Sequence, residues 1–340
     1  MTKKRKPTVK SEDATEVTRD NGGHALESAG AMSTSLDVEA IERELDIRKK
    51  LADRERQHRI EEYEKAVIEC SDTVGAELFG VRGRPKRQKL PVRILAEGDS
   101  WFDFPLGGGL LKKGDVIAQL ATLIPFPILN IAVRGDEVRQ MLGVEQRQRL
   151  EALLQNKDYD FNTLLFSGGG NDIVGNPFCL WLRSHASVQG DHTQAVDEPA
   201  LAHALGIIQT GYEQLFDLRD EILSATPNRR IVVIIHGYDF AVPSGKGVCG
   251  YGPWLKPSLD YRGWTNPTQA KSIVKNVLSR LSGLLMSLAS RRHDVFFVET
   301  QGTLAAKDWN DELHPKGPGF KQIAIKFVDK LREVYPNDIP

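Results

Sequence analysis

Short apolar runs alternate with longer segments of helical periodicity from residue 91 to the end of the chain. Short runs rich in apolar and β-branched side chains are typical of buried strands, and apolar positions every three or four residues are typical of helices. The predicted strands are residues 91–96, 128–133, 163–166, 230–235 and 295–298, and helical patterns begin at residues 138, 200, 269 and 320. This alternation predicts a five-stranded parallel sheet between two helical layers, a three-layer α/β/α sandwich with right-handed crossovers.

Polar residues and glycines follow the carboxyl ends of several predicted strands. Glu97-Gly98-Asp99-Ser100 follows the first strand, Arg134-Gly135-Asp136 the second, Gly169-Gly170-Asn171-Asp172 the third, and Asp311-Glu312-Leu313-His314 comes after the fifth. Because the carboxyl ends of parallel strands meet at one edge of a sheet, we expect these turns to lie close together.

Ser100 and His314 are residue types that acyl transfer requires. A serine hydroxyl is a weak nucleophile at neutral pH and needs a base within hydrogen-bond reach, for which His314 is the candidate. Asp311, three residues before His314, can turn back to the other imidazole nitrogen and stabilise the imidazolium. Asp308 and Glu312 are alternatives to Asp311 in this role.

A tetrahedral oxyanion needs hydrogen-bond donors that are already in place. The backbone amides of Ser100 and Gly135 and the side-chain amide of Asn171 are the candidates. Loss of one such donor typically costs about 3 to 4 kcal/mol of barrier height. The turns therefore predict a complete site for acyl transfer.

These four blocks, taken together and in this order, resemble the SGNH hydrolase superfamily, also called GDSL esterases and lipases. The resemblance covers residues 91–335 and does not extend to residues 1–90. It implies a flavodoxin-like sandwich with Ser100 as nucleophile, His314 as base and Asp311 as its orienting acid. It also implies that Gly135 and Asn171 belong to the oxyanion hole.

Two long insertions rich in glycine, proline and aromatic residues follow the third and fourth predicted strands. Loops at this edge commonly determine specificity, so we predict His236, Tyr238 and Trp254 as substrate-binding residues. His236 is also a rival to His314 as the base. Further aromatic residues could line the pocket or pack on one another: Trp181, Tyr251, Tyr261 and Trp264.

The residues before the predicted sheet divide into three segments. Residues 1–34 are polar without a period and predict a disordered tail. Residues 35–80 are strongly charged, with opposite charges three to four positions apart, and predict one long helix. Its thin apolar stripe could lie on the main domain, pair with a second copy through residues 36–78 as in a coiled coil, or bind a partner. A basic linker, residues 81–90, follows.

The basic linker contains Arg82-Gly83-Arg84-Pro85, which resembles the AT-hook, a DNA minor-groove peptide. Only this short core and the neighbouring positive charges match. A solvated linker is the favoured interpretation, since runs of charge usually have that role.

Composition narrows the setting. The formal net charge of −1 provides no general attraction to nucleic acid or to anionic membranes. Three cysteines without CxxC spacing argue against a disulfide framework or a zinc site, and neither glycine triplet continues into a Walker loop. From these motifs we expect neither a metal nor a cofactor. No apolar run is long enough for a transmembrane helix, so we expect a cytoplasmic protein.

The sequence therefore predicts a serine hydrolase that cleaves a carboxylic ester through an acyl-enzyme. The candidate substrates are lipids or lysophospholipids and acetylated carbohydrates. The alternative is a DNA- or partner-binding protein whose sheet domain has little catalytic turnover.

Overall fold

The computed structural model describes residues 38–79, 90–104, 114–248 and 250–339. The predicted tail and residues 80–89, which include the AT-hook-like core, lie outside the described residues.

The described residues form a sheet of five parallel strands in the order β2-β1-β3-β4-β5. This order is that of flavodoxin-like sheets and confirms the predicted fold class. The strands are β1 Ile94–Gly98, β2 Ile128–Asn130, β3 Thr163–Ser167, β4 Val232–His236 and β5 Val295–Val298. Every residue of β1, β3 and β4 is buried, as expected for central strands covered on both faces.

The end of β1 approaches β3 closely. Gly98 pairs with Ser167, and a Cβ atom at Gly98 would lie 2.7 Å from the Ser167 Cβ and 2.8 Å from its carbonyl oxygen. Only glycine fits there. Because the chain leaves β1 toward β2 on one side and later enters β3 on the other, Ser100 lies at the topological switch point of the sheet.

Helices cover both faces of the sheet. Helices α2 and α9 pack on each other, as do α6 and α8, and right-handed crossovers place these two pairs on opposite faces. The remaining helices either continue these layers or follow the strand ends. Their bounds are α1 Val38–Phe79, α2 Val116–Leu120, α3 Val138–Met141, α4 Val144–Gln155, α5 Gly170–Ile173, α6 Glu198–Ser224, α7 Lys256–Tyr261, α8 Pro267–Ser290 and α9 Gly317–Val334.

Local signals explain where the long helices begin. Asp197 caps α6 by accepting a hydrogen bond from the Ala200 amide, and Asn266 caps α8 in the same way. The helical pattern that begins at residue 138 forms two helices, α3 and α4, instead of one. The interruption lies at Gly143, whose backbone is extended and forms the N-cap of α4.

The chain divides into two compact units, Met1–Leu51 and Ala52–Pro340, with the boundary inside α1. In the first unit, Ile47 and Leu51 are exposed. In the second unit, Tyr63 is buried against the rings of Tyr159 and Phe161. From Ala52 onward the helix therefore lies on the α/β domain, one of the arrangements that its apolar stripe allows.

No helix among the described residues is both long and apolar enough to cross a lipid bilayer.

Candidate active site

Ser100, His314 and Asp311 form a continuous hydrogen-bonded chain. The Nε2 atom of His314 lies 2.8 Å from the Ser100 Oγ, and its Nδ1 atom lies 2.9 Å from the Asp311 Oδ1. Ser100 follows β1 and the other two residues lie between β5 and α9, so the fold joins residues 214 positions apart in the sequence. Serine hydrolases link a serine, a histidine and an acid in this same order.

The Asp311 carboxylate is held by several donors. Its Oδ1 atom accepts hydrogen bonds from the backbone amides of Leu313 and His314, both at 2.9 Å, in addition to the imidazole. Burial by itself would raise the pKa of Asp311, but the hydrogen bonds and the charge of His314 outweigh it and hold the pKa below its usual value. Asp311 is therefore ionised and can stabilise a protonated His314.

Two aromatic rings fix the plane of the His314 imidazole. Phe104 stacks on it with ring centroids 4.3 Å apart, and Trp254 meets it edge-on at 5.4 Å. The Trp101 indole donates a hydrogen bond to the Leu313 carbonyl at 3.1 Å. This bond links the turn that carries Ser100 to the histidine loop, the segment that carries Asp311 and His314. Phe104 and Trp101 lie within four residues of Ser100 in the sequence, so part of the packing around the His314 ring comes from the turn that carries Ser100.

Asp99 shapes the turn that presents Ser100. Its carboxylate accepts hydrogen bonds from the Trp101 amide and the Ser167 hydroxyl, both at 2.9 Å, and from the Tyr238 hydroxyl. Complete burial raises its pKa to about 6, although these hydrogen bonds act in the opposite direction. Asp99 is thus a buried structural residue that links β1, β3 and the segment after β4.

The three predicted oxyanion donors lie on the turns after β1, β2 and β3. Gly135 has φ +88°, a left-handed conformation that favours glycine. The Asn171 side-chain amide donates a hydrogen bond to the Asp136 carbonyl at 2.9 Å. This bond uses one of the two N–H donors that an amide group carries. Ser100 and Asn171 line one cavity. Gly135 is exposed and does not line that cavity, but it lies at the same edge of the sheet, on the loop that follows β2, the strand next to β1.

The cavity beside Ser100 is small, about 30 Å³. Its wall is mainly apolar beyond the polar groups near Ser100 and includes Val174, Tyr238, Leu278 and Trp309. A larger cavity, about 1010 Å³, contains Arg93, Asp160 and Arg229, but it lies at the amino ends of the strands, the opposite edge of the sheet from Ser100.

The two alternative acids have other partners. The Glu312 carboxylate is fully buried and accepts hydrogen bonds from the amides of four residues in the insertion after β4: Gly245, Trp254, Leu255 and Lys256. The Asp308 carboxylate accepts one from the Ala305 amide at 2.9 Å. Of the three candidate acids, Asp311 is the one whose carboxylate contacts the His314 ring.

His236 lies in the protein core and not at the pocket wall. It is fully buried, its ring stacks on Trp101 and Phe102, and its Nδ1 atom lies 2.6 Å from the Gly237 carbonyl oxygen. Burial lowers its pKa to about 4. This placement corrects the two roles that the sequence suggested for His236, because a side chain without access to the cavity can neither contact substrate nor replace His314.

The other aromatic candidates divide between site and scaffold. Tyr238 lines the small cavity, and Trp254 contacts the His314 ring. Trp264 is buried and donates to the Arg183 carbonyl, and the half-buried Trp181 donates to the Ile173 carbonyl. The two tyrosines of the insertion are mostly exposed: Tyr251 and Tyr261.

Sequence reasoning missed Glu97, a buried acid one strand position before Gly98. Its carboxylate accepts a hydrogen bond from the Gly98 amide at 2.8 Å. Burial raises its pKa to about 8, with nearby Asp136 acting in the same direction. The signal was visible in the sequence, since a glutamate stands at the end of an otherwise apolar strand. In the part of the chain that the structure describes, no group of His, Cys, Asp and Glu side chains is arranged to hold a metal ion.

No protein-family model and no curated protein sequence matches the chain. Several solved structures are similar in fold. An α/β hydrolase, LAE5, from the metagenome of Lake Arreo is 15% identical, with a TM-score of 0.38, over 71% of this chain and 95% of that one. An extracellular lipase from Streptomyces rimosus is 15% identical, with a TM-score of 0.40, over 70% of this chain and 99% of that one.

A third solved structure, a protein from Slackia heliotrinireducens described as an SGNH hydrolase, is 14% identical. Its TM-score is 0.37, and the match covers 71% of this chain and 98% of that one. Matches with identities and TM-scores this low carry no argument about function, which has to be inferred from this chain's own site. The motifs of that site are those that resemble the SGNH hydrolase superfamily.

Proposed function

We propose that this chain is an SGNH-type serine hydrolase that cleaves a carboxylic ester through an acyl-enzyme. The observation that carries the proposal is the hydrogen-bonded chain from Ser100 Oγ through the His314 ring to Asp311, with links of 2.8 and 2.9 Å. Both the base and the acid are buried, so they are held in place before substrate binds. Such preorganisation is what makes a serine nucleophilic at neutral pH.

Acylation follows from this geometry. The Ser100 Oγ attacks the ester carbonyl carbon while His314 Nε2 takes the hydroxyl proton. Asp311 stabilises the imidazolium that forms. The negative charge moves to the carbonyl oxygen, where the amides of Ser100 and Gly135 and the side chain of Asn171 donate hydrogen bonds. The tetrahedral intermediate collapses, His314 gives its proton to the leaving alkoxide, and the alcohol departs.

Deacylation repeats these steps with water. The oxygen of a water molecule attacks the acyl-enzyme carbonyl while His314 takes a proton from that water. The second tetrahedral intermediate releases Ser100, which regains a proton from His314, and the carboxylic acid leaves. Each cycle consumes one ester and one water and restores the enzyme without a cofactor.

The size of the cavity favours short acyl groups. A volume of about 30 Å³ beside Ser100 is enough for a group the size of one or two water molecules. An acetyl group fits such a space, whereas a long acyl chain would need the walls to move. Of the two predicted substrate classes, acetylated carbohydrates are therefore favoured over lipids.

Fluorophosphonate labelling tests the proposed nucleophile. Wild-type protein should be labelled, Ser100→Ala should not, and Ser187→Ala, which removes an exposed serine, should be labelled like wild type. If the folded wild-type protein took up no label, the hydrolase proposal would be refuted. The alternative, a binding protein whose sheet domain has little catalytic turnover, would then be favoured.

An ester series from acetyl to palmitoyl tests the acyl preference. The ratio kcat/KM should be highest for acetyl and fall steeply by hexanoyl. Val174→Ala, which enlarges the cavity, should move the optimum to longer chains, and Leu180→Ala, at an exposed position, should leave it in place. A maximum at palmitoyl in the wild type would contradict this acyl preference while leaving the hydrolase intact.

A further inference from the structure

Arg59 on helix α1 reaches into the loops that follow β1 and β2. One guanidinium nitrogen, Nη1, donates to the Ala132 carbonyl at 2.9 Å and to the Asn130 carbonyl at 3.3 Å. The other, Nη2, donates to the Asp103 carboxylate at 2.9 Å and to Glu55 on the same helix at 2.6 Å. A single side chain from outside the sheet thus joins two loops at its carboxyl edge.

These loops carry two of the three proposed oxyanion donors. Asp103 lies three residues after Ser100, and Ala132 lies three residues before Gly135. The spacing between the Ser100 and Gly135 amides therefore depends on how the two loops are held together. Asn130 provides another link, since its side-chain amide donates to the Phe102 carbonyl at 2.7 Å and its oxygen accepts from the Ala132 amide at 3.1 Å.

The ion pair between Arg59 and Asp103 is largely removed from solvent. Their side chains are 12% and 5% exposed. Asp103 also lies 3.8 Å from the guanidinium of Arg134, but that side chain is more than half exposed, so the buried Arg59 is the closer partner and its removal should weaken the hold on the Asp103 loop. Glu55 is likewise more than half exposed, and its contact with Arg59 contributes little. The contacts that matter are therefore those to the two loops.

Packing of α1 explains why Arg59 is held at this place. Tyr63, one helical turn later, is buried against Tyr159 and Phe161, and the Cys70 thiol donates to the Pro125 carbonyl at 3.3 Å. These contacts fix the helix on the α/β domain with Arg59 facing the loops. Arginine suits the position because its planar group can donate to a carboxylate and to carbonyls at the same time.

We propose that Arg59 is a positioning residue for the oxyanion hole, so that the second half of α1 is part of the catalytic unit. The inference rests on the proposed function, because it concerns the spacing of the Ser100 and Gly135 donors. A displacement of catalytic groups by about 1 Å can cost about 100-fold in rate. Loss of Arg59 should act on the transition state, where the oxyanion forms, and hardly on substrate binding.

The test compares Arg59→Ala, Arg59→Lys and Asp103→Asn with wild type in hydrolysis of a short-chain ester. Activity is expressed per active site titrated to completion with a fluorophosphonate, which separates catalytic loss from loss of folded protein. We expect kcat of Arg59→Ala to fall between 10- and 100-fold, by the magnitude that such misplacement has, while KM changes less than threefold. Arg59→Lys should be intermediate, since one ammonium group cannot span both loops.

A matched control and a double variant sharpen the test. Arg54→Ala removes an exposed arginine from the same helix and should keep wild-type kcat. The double variant Arg59→Ala with Asp103→Asn should lose little more than Arg59→Ala alone, because the two residues act as one unit.

The inference is overturned if kcat per site of Arg59→Ala and Arg59→Lys stays within threefold of wild type, or if only KM changes. Should Arg59→Ala fail to fold, Arg59→Lys decides by the same criterion. Activity that is lost in Ser100→Ala but kept in the Arg59 variants overturns this inference alone. Activity that persists in Ser100→Ala overturns the proposed function, and this inference with it.

Discussion

Glu312 connects the histidine loop to the insertion after β4, and its replacement should loosen that insertion. The carboxylate accepts hydrogen bonds from the amides of Gly245 and Lys256 on one oxygen and from those of Trp254 and Leu255 on the other. Glu312→Gln keeps one acceptor oxygen and turns an NH₂ group toward the other two amides. A hydrogen bond to a charged group contributes about 1.5 to 3 kcal/mol, so the loss of two should cost about 3 to 6 kcal/mol.

Urea unfolding and hydrogen exchange measure this effect. The free energy of unfolding should fall by about that amount, and the amides of Trp254 and Leu255 should exchange faster than in wild type. Because Trp254 contacts the His314 ring, kcat should also fall. Asp308→Asn is the matched control, since that carboxylate accepts from the Ala305 amide outside the insertion, and it should cost about 1 kcal/mol. A loss below about 1 kcal/mol for Glu312→Gln would refute the reasoning.

Three further predictions concern single side chains. Burial raises the pKa of Glu97 to about 8, so the folded protein keeps a proton that the unfolded chain releases at lower pH. The free energy of unfolding should therefore fall as the pH rises from 5 to 8, by up to about 1.4 kcal/mol per pH unit. Urea unfolding of Glu97→Gln should lack this contribution to the pH dependence. Asn171→Ala should lower kcat by about 100- to 1,000-fold with little change in KM, and a loss below about fivefold in steady-state kinetics would remove Asn171 from the oxyanion hole. Burial lowers the pKa of His236 to about 4, so NMR titration should find its ring neutral at pH 5, and a charged ring at pH 6 would contradict the buried placement.

The agreement between predicted and observed bounds differs from strand to strand: the predicted second strand, residues 128–133, extends three residues beyond β2. The predicted fifth strand matches β5, and the predicted third strand is one residue shorter than β3. The first strand begins at Ile94, three residues after Pro91, where the prediction began. Apolar runs that are buried on both faces have a strong local signature, whereas their ends depend on which neighbouring strand they pair with.

The roles of the polar residues were harder to predict. The spacing of Asp311 and His314 is local, so a contact between their side chains could be expected from the sequence. Glu312 stands between them in sequence, yet its carboxylate serves residues that lie 56 to 67 positions away. His236 was predicted to follow the fourth strand, but it is the last residue of β4 and its side chain enters the core. Hydrophobic periodicity does not indicate whether a polar side chain at the end of a strand enters the core or faces the site.

The sequence by itself determined the alternation of strands and helices, the turns that follow the strands, and the residue types available for acyl transfer. These features depend on periodicity and on neighbours within a few positions. Only the tertiary structure decided the strand order, the burial of His236, the partners of Glu312 and the contact of Arg59 with the loops after β1 and β2. Those arrangements depend on contacts between distant segments, whose choice is fixed by packing of the whole domain and leaves no trace in local sequence.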